Sequence, residues 1–293
     1  MLMGDDRNVV HSRVLATGQS GELIGFTRES AGWEWMSFSA RRLNVGEAWE
    51  CRYPGEETAC VLLSGKCSLN WGLGLHDIGS RSTVFDGLPY ALYLAPSDHA
   101  RFTASTVCEI AECHVPAQPV FPTRLIRPAD VVVSLRGGGN ASRQIVDIMR
   151  PEFPADRLIV VEVYTPGGNW SSYPPHKHDV QNPPHEADLD EIYYYRMKHP
   201  NAFAHQRLYR SDGSRDTVVT ARDGDAVLVR DGYHPVVAGP GYDIYYLNFI
   251  AGSSRTMAIT EDPDHVWIKS SWAEMDKRLP LIKPAESKGS AGS

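Results

Sequence analysis

Apolar positions along this chain fall in short runs with a period of two or none, rather than in helical repeats. "WEWMSFSARRL", "ACVLLSGKCSLNWG", "YALYLAP", "RLIVVEVYTP", "EIYYYRM", "DAVLVRDG" and "YDIYYLNFIAG" are rich in β-branched and aromatic residues, and Gly, Pro, Asp and Asn turns separate them. Each run predicts a strand. One helix is predicted, a short C-terminal one over "SWAEMDKRLPLI", with Ser271 as its N-cap. Many short strands at regular spacing predict an all-β sandwich or barrel.

The Pro-rich stretch "HVPAQPVFPTRLIRP" splits the pattern near residues 115–128, and the two sides repeat one another. Each side runs from a Gly-to-Trp turn through an acid-led strand to a strand, a turn, a histidine and a further strand. His99 falls where His234 falls, and Glu56 and Glu57 fall near Glu191. The expected units are residues 1–120, residues 121–275 and a tail, 276–293. The glycines Gly137, Gly138 and Gly139 predict a tight turn or a close backbone approach.

The chemistry concentrates in residues 171–196, where 26 residues hold three histidines and five acids. Residues two apart on a strand point to the same face. His176 and His178 therefore present both imidazoles to one side. Glu191, Tyr193 and Tyr195 share a face, and Ile192, Tyr194 and Arg196 take the other. With His234 from "RDGYHP", these residues make a three-histidine, one-carboxylate set. Its N and O donors suit zinc first, and also manganese, iron(II), cobalt or nickel. Glu186 and Asp190 are the alternative carboxylates; Glu186 and His185 read as loop residues. The first half offers only "CRYPG" in place of the histidine pair, so its barrel is expected to be metal-free. Arg136 and Arg143 beside the glycines could clamp a carboxylate, or lie on a solvated turn.

Composition narrows the classes. The chain has 293 residues, of which 42% are hydrophobic and 22% charged, with no apolar run long enough for a membrane helix. A net charge of −7 and no basic stripe argue against nucleic acid. The five cysteines lie in the first half without C-x-x-C spacing, which predicts reduced thiols in a cytoplasmic protein and gives no support to cysteine-bound zinc. The first residues show no signal peptide, and "ESKGSAGS" is left out of the fold.

Gly168, His176, His178, Glu191, Gly224, Gly232 and His234 resemble the two motifs of the cupin superfamily, with Arg230 where proline is common. The resemblance implies two tandem double-stranded β-helix barrels, the first degenerate. "RGGGNASRQIVDIM", "SSYPPHKHD", "DEIYYYR" and "RDGYHPVVAGPGYDIYYLN" resemble, more narrowly, the 5-deoxy-glucuronate isomerase family of myo-inositol catabolism over residues 5–275. A related family acts on 5-keto-4-deoxyuronate with a shorter spacer; the stretch 179–189 here favours the inositol branch. The implied reaction is a metal-dependent aldose–ketose isomerisation of 5-deoxy-D-glucuronate to 5-dehydro-2-deoxy-D-gluconate. A cupin dioxygenase or a binding-only cupin is the alternative. The proton carrier is sought among Glu191, Tyr193, Tyr195, Asp179 and His185, unless a hydride shift needs none. The substrate carboxylate is expected on Arg143, Lys177 or Arg196. A monomer or a homodimer fits two barrels in one chain.

Overall fold

The computed structural model describes residues 8–72 and 74–283. Every strand-like run of the sequence forms a strand, and all named pairs are antiparallel. Two barrels result. The first joins a six-stranded sheet, in the order Arg124–Ile126, Tyr90–Leu94, Glu56–Ser64, Cys108–Pro116, Ser37–Leu43, Gly21–Phe26, to a four-stranded one built from Ala48–Cys51, Ala100–Ala104, Cys67–Asn70 and Leu75–Ile78. The second has the longer sheet: Val9–Val10, Ala226–Val229, Glu186–Met197, Ile244–Gly252, Ile159–Thr165, Arg143–Met149, Val132–Arg136. Asp179–Asn182 pairs with Glu186–Met197 beside that path. Trp170–Ser171, Val236–Ala238, Ala204–Tyr209 and Asp216–Ala221 make the facing sheet.

Chain order and barrel membership differ at the ends. Val9–Val10 pairs with Ala226–Val229 of the second barrel, although it begins the chain. Arg124–Ile126 closes the first barrel beside Tyr90–Leu94, beyond the expected boundary at residue 120. Both strands cover edges whose unpaired N–H and C=O groups would otherwise be open to other chains. The segment 276–283 is packed rather than a loose tail. Ile282 is buried, and its backbone makes two bonds with Gln144, at 2.7 and 2.9 Å. Residues 284–293 lie outside the described residues.

The expected C-terminal helix is corrected. Val266–Ser271 forms a 3-10 turn that ends where the helix was to begin, and 272–283 is irregular. Tertiary bonds take the backbone groups a helix would use: Asp276 N–H donates to Ser142 Oγ at 3.0 Å, and the Glu274 carbonyl accepts from Gly139 at 2.9 Å. Both expectations for the glycine run hold. Gly137 takes φ 91°, and a Cβ on Gly138 would lie 2.6 Å from Trp272 Cβ.

Strand parity sorts the core. Ile192 and Tyr194 join Phe38, Tyr93, Leu247 and Phe249 in one cluster shared by both barrels, while Tyr193 and Tyr195 turn into the second barrel. Phe38 packs on Tyr194 with ring centroids 5.3 Å apart. A buried ion pair crosses the interface: Arg81 donates to Glu162 at 2.7 Å, and Tyr164 and Tyr245 each donate to the same carboxylate at 2.9 Å.

The internal repeat can be counted from His99 and His234. Glu191 faces Val229, five residues before His234; Thr58 faces Leu94, five before His99. Thr58, not Glu56 or Glu57, therefore stands where Glu191 stands. One residue of slip turns a side chain to the other face of the sheet. Glu57 accordingly points out of the first barrel, where it accepts from Tyr93 and from the N–H groups of Asp156, Arg157 and Leu158. Glu56 pairs with Arg28 and His114, and His99 is exposed.

Candidate metal centre and active site

Four elements deliver the cluster. His176 lies on the two-residue strand His176–Lys177, pinned by Thr260–Glu261. His178 follows it, Glu191 sits mid-strand in Glu186–Met197, and His234 comes from the turn after Ala226–Val229. The ligand nitrogens of His176, His178 and His234 all lie within 4.8 Å of one another. Glu191 Oε2 is 2.8 Å from His178 Nε2 and 3.3 Å from His234 Nε2. The set expected from the sequence is thus assembled in one place.

The far nitrogens are held from outside. His178 Nδ1 lies 3.0 Å from the Leu189 carbonyl, and His234 Nδ1 lies 3.0 Å from the Gly232 carbonyl. A backbone acceptor fixes the proton on Nδ1 and leaves Nε2 as a lone-pair donor toward the cluster. His234 Nε2 is buried and has no hydrogen-bond partner among the described residues. An orphaned imidazole nitrogen facing two other imidazoles and a carboxylate is what a bound cation would satisfy. The residues therefore fit a divalent metal ion.

Electrostatics agree. Burial, then the neighbouring imidazoles, hold the His176 pKa well below its usual value, so His176 is neutral and able to ligate. Burial opposes ionisation of Glu191, but the His178 and His234 imidazoles beside it outweigh that and keep the carboxyl well below the usual range.

The cluster opens into a cavity of about 410 Å³. His176, Glu191, Tyr193, Ser172, Arg143 and Tyr246 are on its wall, with Asn248 and Asp147. Ser172 takes a left-handed backbone, φ 49°, unusual for a residue with a side chain. Its Oγ lies 2.8 Å from the Tyr193 hydroxyl and 3.5 Å from that of Tyr246. Burial, then the Glu191 charge, raises the Tyr193 pKa well above the usual phenol value. Tyr193 therefore stays protonated and can donate a hydrogen bond.

Arg143 also faces this cavity. Its side chain bonds only the Ala141 carbonyl, at 3.1 Å, and forms no ion pair with any described acid. Burial lowers its pKa, yet a guanidinium stays charged at neutral pH. The cavity thus has a positive group without a partner.

Other residues expected in the site are elsewhere. Lys177 points away from His176 and bonds Asp179 and Glu186, the latter at 2.7 Å. Arg196 lies on the inter-barrel face, paired with Glu109 and Asp223; parity with Ile192 and Tyr194 already placed it there. Tyr195 faces inward but is fully buried, its hydroxyl 2.9 Å from Gln206 Oε1. Asp179 accepts from Gly232 N–H at 2.7 Å, and His185 is an exposed loop residue. Glu186, expected in a loop, begins a strand and is buried beneath Lys177. Asp190 accepts from Trp35 N–H on the opposite face to Glu191. Ser172, Tyr246, Asn248 and Asp147 went unnoticed in the sequence. Only the Ser172 hydroxyl, close to the histidine pair, carried a signal there.

Comparisons with known proteins agree with this geometry. The chain is 43% identical over 259 residues to a 5-deoxy-glucuronate isomerase of Geobacillus thermodenitrificans, covering 86% of this chain and 93% of the relative. It is 37% identical over 245 residues to the enzyme of that name from Halalkalibacterium halodurans, covering 83% and 91%. An IolB-like protein of Salmonella typhimurium superposes with a TM-score of 0.85 at 37% identity, over 89% of this chain and 98% of that one. The oxalate decarboxylase of Lactobacillus farciminis superposes at 0.59 with 10% identity, over 88% and 91%, which is a likeness of fold alone. Residues 9–268 match the KduI/IolB family, and the chain belongs to that family.

Proposed function

We infer that this protein is a metal-dependent aldose–ketose isomerase that converts 5-deoxy-D-glucuronate to 5-dehydro-2-deoxy-D-gluconate. The observation that carries the reading is the pairing, in one cavity, of the histidine–carboxylate cluster with the unpartnered guanidinium of Arg143. A sugar acid has one end for each.

Zinc is the ion we assign to His176, His178, Glu191 and His234; manganese, iron(II), cobalt and nickel suit the same donors. Such an ion supplies Lewis acidity, which acidifies the C–H between a carbonyl and its neighbouring hydroxyl and lowers the cost of an enediolate. Arg143 takes the remote carboxylate in a charge-assisted bond and sets which carbon lies at the cluster. Tyr193, relayed through Ser172 Oγ to Tyr246, donates a hydrogen bond to the sugar oxygens. Of the proton carriers considered, only Glu191 and Tyr193 reach the cavity. Tyr193 holds its proton too firmly to be the base; Glu191 is the candidate left to accept the proton from carbon, a weak base while His178 and His234 hold it ionised, and a hydride shift that needs no base is the alternative. Five free, buried thiols support a reducing, cytoplasmic setting. No helix among the described residues is long and apolar enough to cross a membrane.

The test follows 5-deoxy-D-glucuronate by NMR in D₂O before and after chelation, and in His176→Ala and His234→Ala. Turnover should stop with chelator, return with a divalent ion, and fail in both variants together with metal content. Deuterium in the product marks an enediol route. A variant that keeps its metal and full turnover, or a metal-loaded protein that leaves the substrate untouched, overturns the reading.

A further inference from the structure

The first barrel has a polar cluster of its own. Cys51 ends the strand Ala48–Cys51 on one sheet; Cys60 and Glu112 sit opposite each other on two strands of the other sheet. All three are buried, with at most 1% exposed. Cys51 Sγ lies 3.7 Å from Cys60 Sγ and 3.7 Å from Glu112 Oε2. All the ligand atoms lie within 4.8 Å of one another.

We propose that Cys51, Cys60 and Glu112 form a second, thiolate-rich metal site that takes a divalent ion such as zinc through three protein ligands, with a water in the fourth tetrahedral position, and clamps the two sheets of the first barrel together. Four observations carry it. The first is spacing. Tetrahedral bonds of about 2.3 Å to sulfur and 2.0–2.2 Å to oxygen put two sulfurs about 3.8 Å apart and a sulfur and an oxygen about 3.5–3.7 Å apart.

The second is how the carboxylate is held. Glu112 Oε1 accepts from Ser39 Oγ at 2.7 Å, Tyr53 hydroxyl at 2.7 Å and Arg41 at 3.1 Å. Its Oε2 bonds nothing but the Cys51 thiol among the described residues. A carboxylate anchored through one oxygen, with the other aimed at two buried thiols, is oriented as a ligand is. A buried carboxylate oxygen facing only sulfur is otherwise poorly satisfied.

The third is charge. Binding releases two thiol protons to solvent. Two thiolates, one carboxylate, one Arg41 guanidinium and a divalent ion then sum to zero. Arg41 is held over the Trp49 ring, 4.2 Å from its centroid.

The fourth is position. Cys60 faces Leu92, seven residues before His99, as Tyr193 faces Val227, seven before His234. Across the other neighbour, Cys60 faces Glu112 where Tyr193 faces Asn248. Glu50 faces Arg101 where Ser171 faces Val236, so Cys51 matches Ser172. The cluster therefore occupies the place of Ser172, Tyr193 and Asn248 on the wall of the second barrel's cavity. The surrounding first-barrel interior is filled by Leu43, Leu62, Leu69, Leu94, Phe102 and Ile110, apolar side chains where the second barrel has its cavity. Cysteine spacing carries no sign of the cluster, because the two thiols meet across the two sheets of the barrel and not through a close Cys spacing.

The experiment strips the purified protein with chelator, reloads it with Zn²⁺ or Co²⁺, and measures metal per chain and the absorption spectrum. Wild type should hold two ions, His178→Ala should keep one, and Cys60→Ser should lose one. Loaded with cobalt, wild type and His178→Ala should both show the near-ultraviolet sulfur-to-cobalt charge-transfer band, and Cys60→Ser should not. Should Cys60→Ser fail to fold, the cobalt spectrum of His178→Ala decides alone. A cobalt-loaded His178→Ala protein without the band, or metal that follows only the histidines, overturns the second site. Neither result bears on whether the second barrel isomerises its substrate.

Discussion

Arg143→Gln tests the division of labour in the cavity. The guanidinium has one internal bond, to the Ala141 carbonyl, so its remaining donors are free for a ligand. A hydrogen bond to a charged group contributes about 1.5–3 kcal/mol net, and each 1.4 kcal/mol is tenfold. The variant should therefore lose about 10- to 150-fold in kcat/KM. The loss should fall mainly on KM, because the carboxylate does not change charge as the carbonyl moves and is bound alike in ground and transition states. An analogue with a hydroxymethyl group in place of the carboxylate supplies the control. Wild type should turn it over poorly, and Arg143→Gln should be no worse than wild type. Stability should move the other way from activity. A half-buried cation without an acidic partner among the described residues is a desolvation cost to the folded state, so the melting temperature should hold or rise. Steady-state kinetics on both substrates and a thermal melt suffice. An unchanged KM, or an equal loss on the neutral analogue, would refute the clamp.

Three further outcomes follow from side-chain environments. Tyr193→Phe should cut kcat about 10- to 100-fold, the scale of losing one hydrogen bond to a developing charge, while Tyr195→Phe, whose hydroxyl serves Gln206, should cost about 1 kcal/mol of stability in urea melts and leave kcat intact. Breaking the inter-barrel pair with Arg81→Met or Glu162→Gln alone should cost about 3–5 kcal/mol; the double variant should cost clearly less than their sum, and simple additivity in a double-mutant cycle would dismiss the coupling. Burial raises the Asp147 pKa above its ordinary 3.8, so the native state keeps a proton that the unfolded chain has released. Stability contributed by that proton is present below 3.8 and is lost as pH rises through the raised value; Asp147→Asn should flatten this part of the stability–pH curve, and an unchanged slope would show that another group sets it.

The site was legible wherever strand parity governed it. Alternation puts His176 with His178 and Glu191 with Tyr193; the expectation of a substrate on Arg196 ran against the same parity, since its face-mates Ile192 and Tyr194 lie in the inter-barrel core. What alternation does not carry is depth. Tyr195 obeys the same parity as Tyr193, yet two residues further along the strand the wall is closed and Gln206 waits for its hydroxyl. Lys177 and Asp179 looked functional because they flank the histidines in sequence; they instead brace the loop with Glu186. The C-terminal helix failed for a different reason. Its propensity was local, and bonds to Ser142 and Gln144, more than a hundred residues away, decided the backbone.

The same register arithmetic explains how one architecture ends with two interiors. At the place of Glu191 the first barrel has Thr58, and at Tyr193 it has Cys60. The exchange removes the carboxylate that sits between His178 and His234 and shortens the side chain that lines the cavity. A carboxylate survives in the first barrel, but at the place of Asn248, where it is held by Ser39, Tyr53 and Arg41. Of the acids nearest in sequence to the missing ligand, Glu57 is turned to the outside and spent on the backbone of the second barrel, while Glu56 keeps the parity of Thr58 but is spent on Arg28 and His114. A single-residue offset thus separates a carboxylate that could ligate from one that fastens the two barrels together. Moving the pattern is therefore not a matter of adding histidines: a Thr58→Glu substitution would place a carboxylate on the correct face, yet the leucines and Phe102 of that interior leave it without a cavity like the one that Arg143, Ser172 and Tyr246 line.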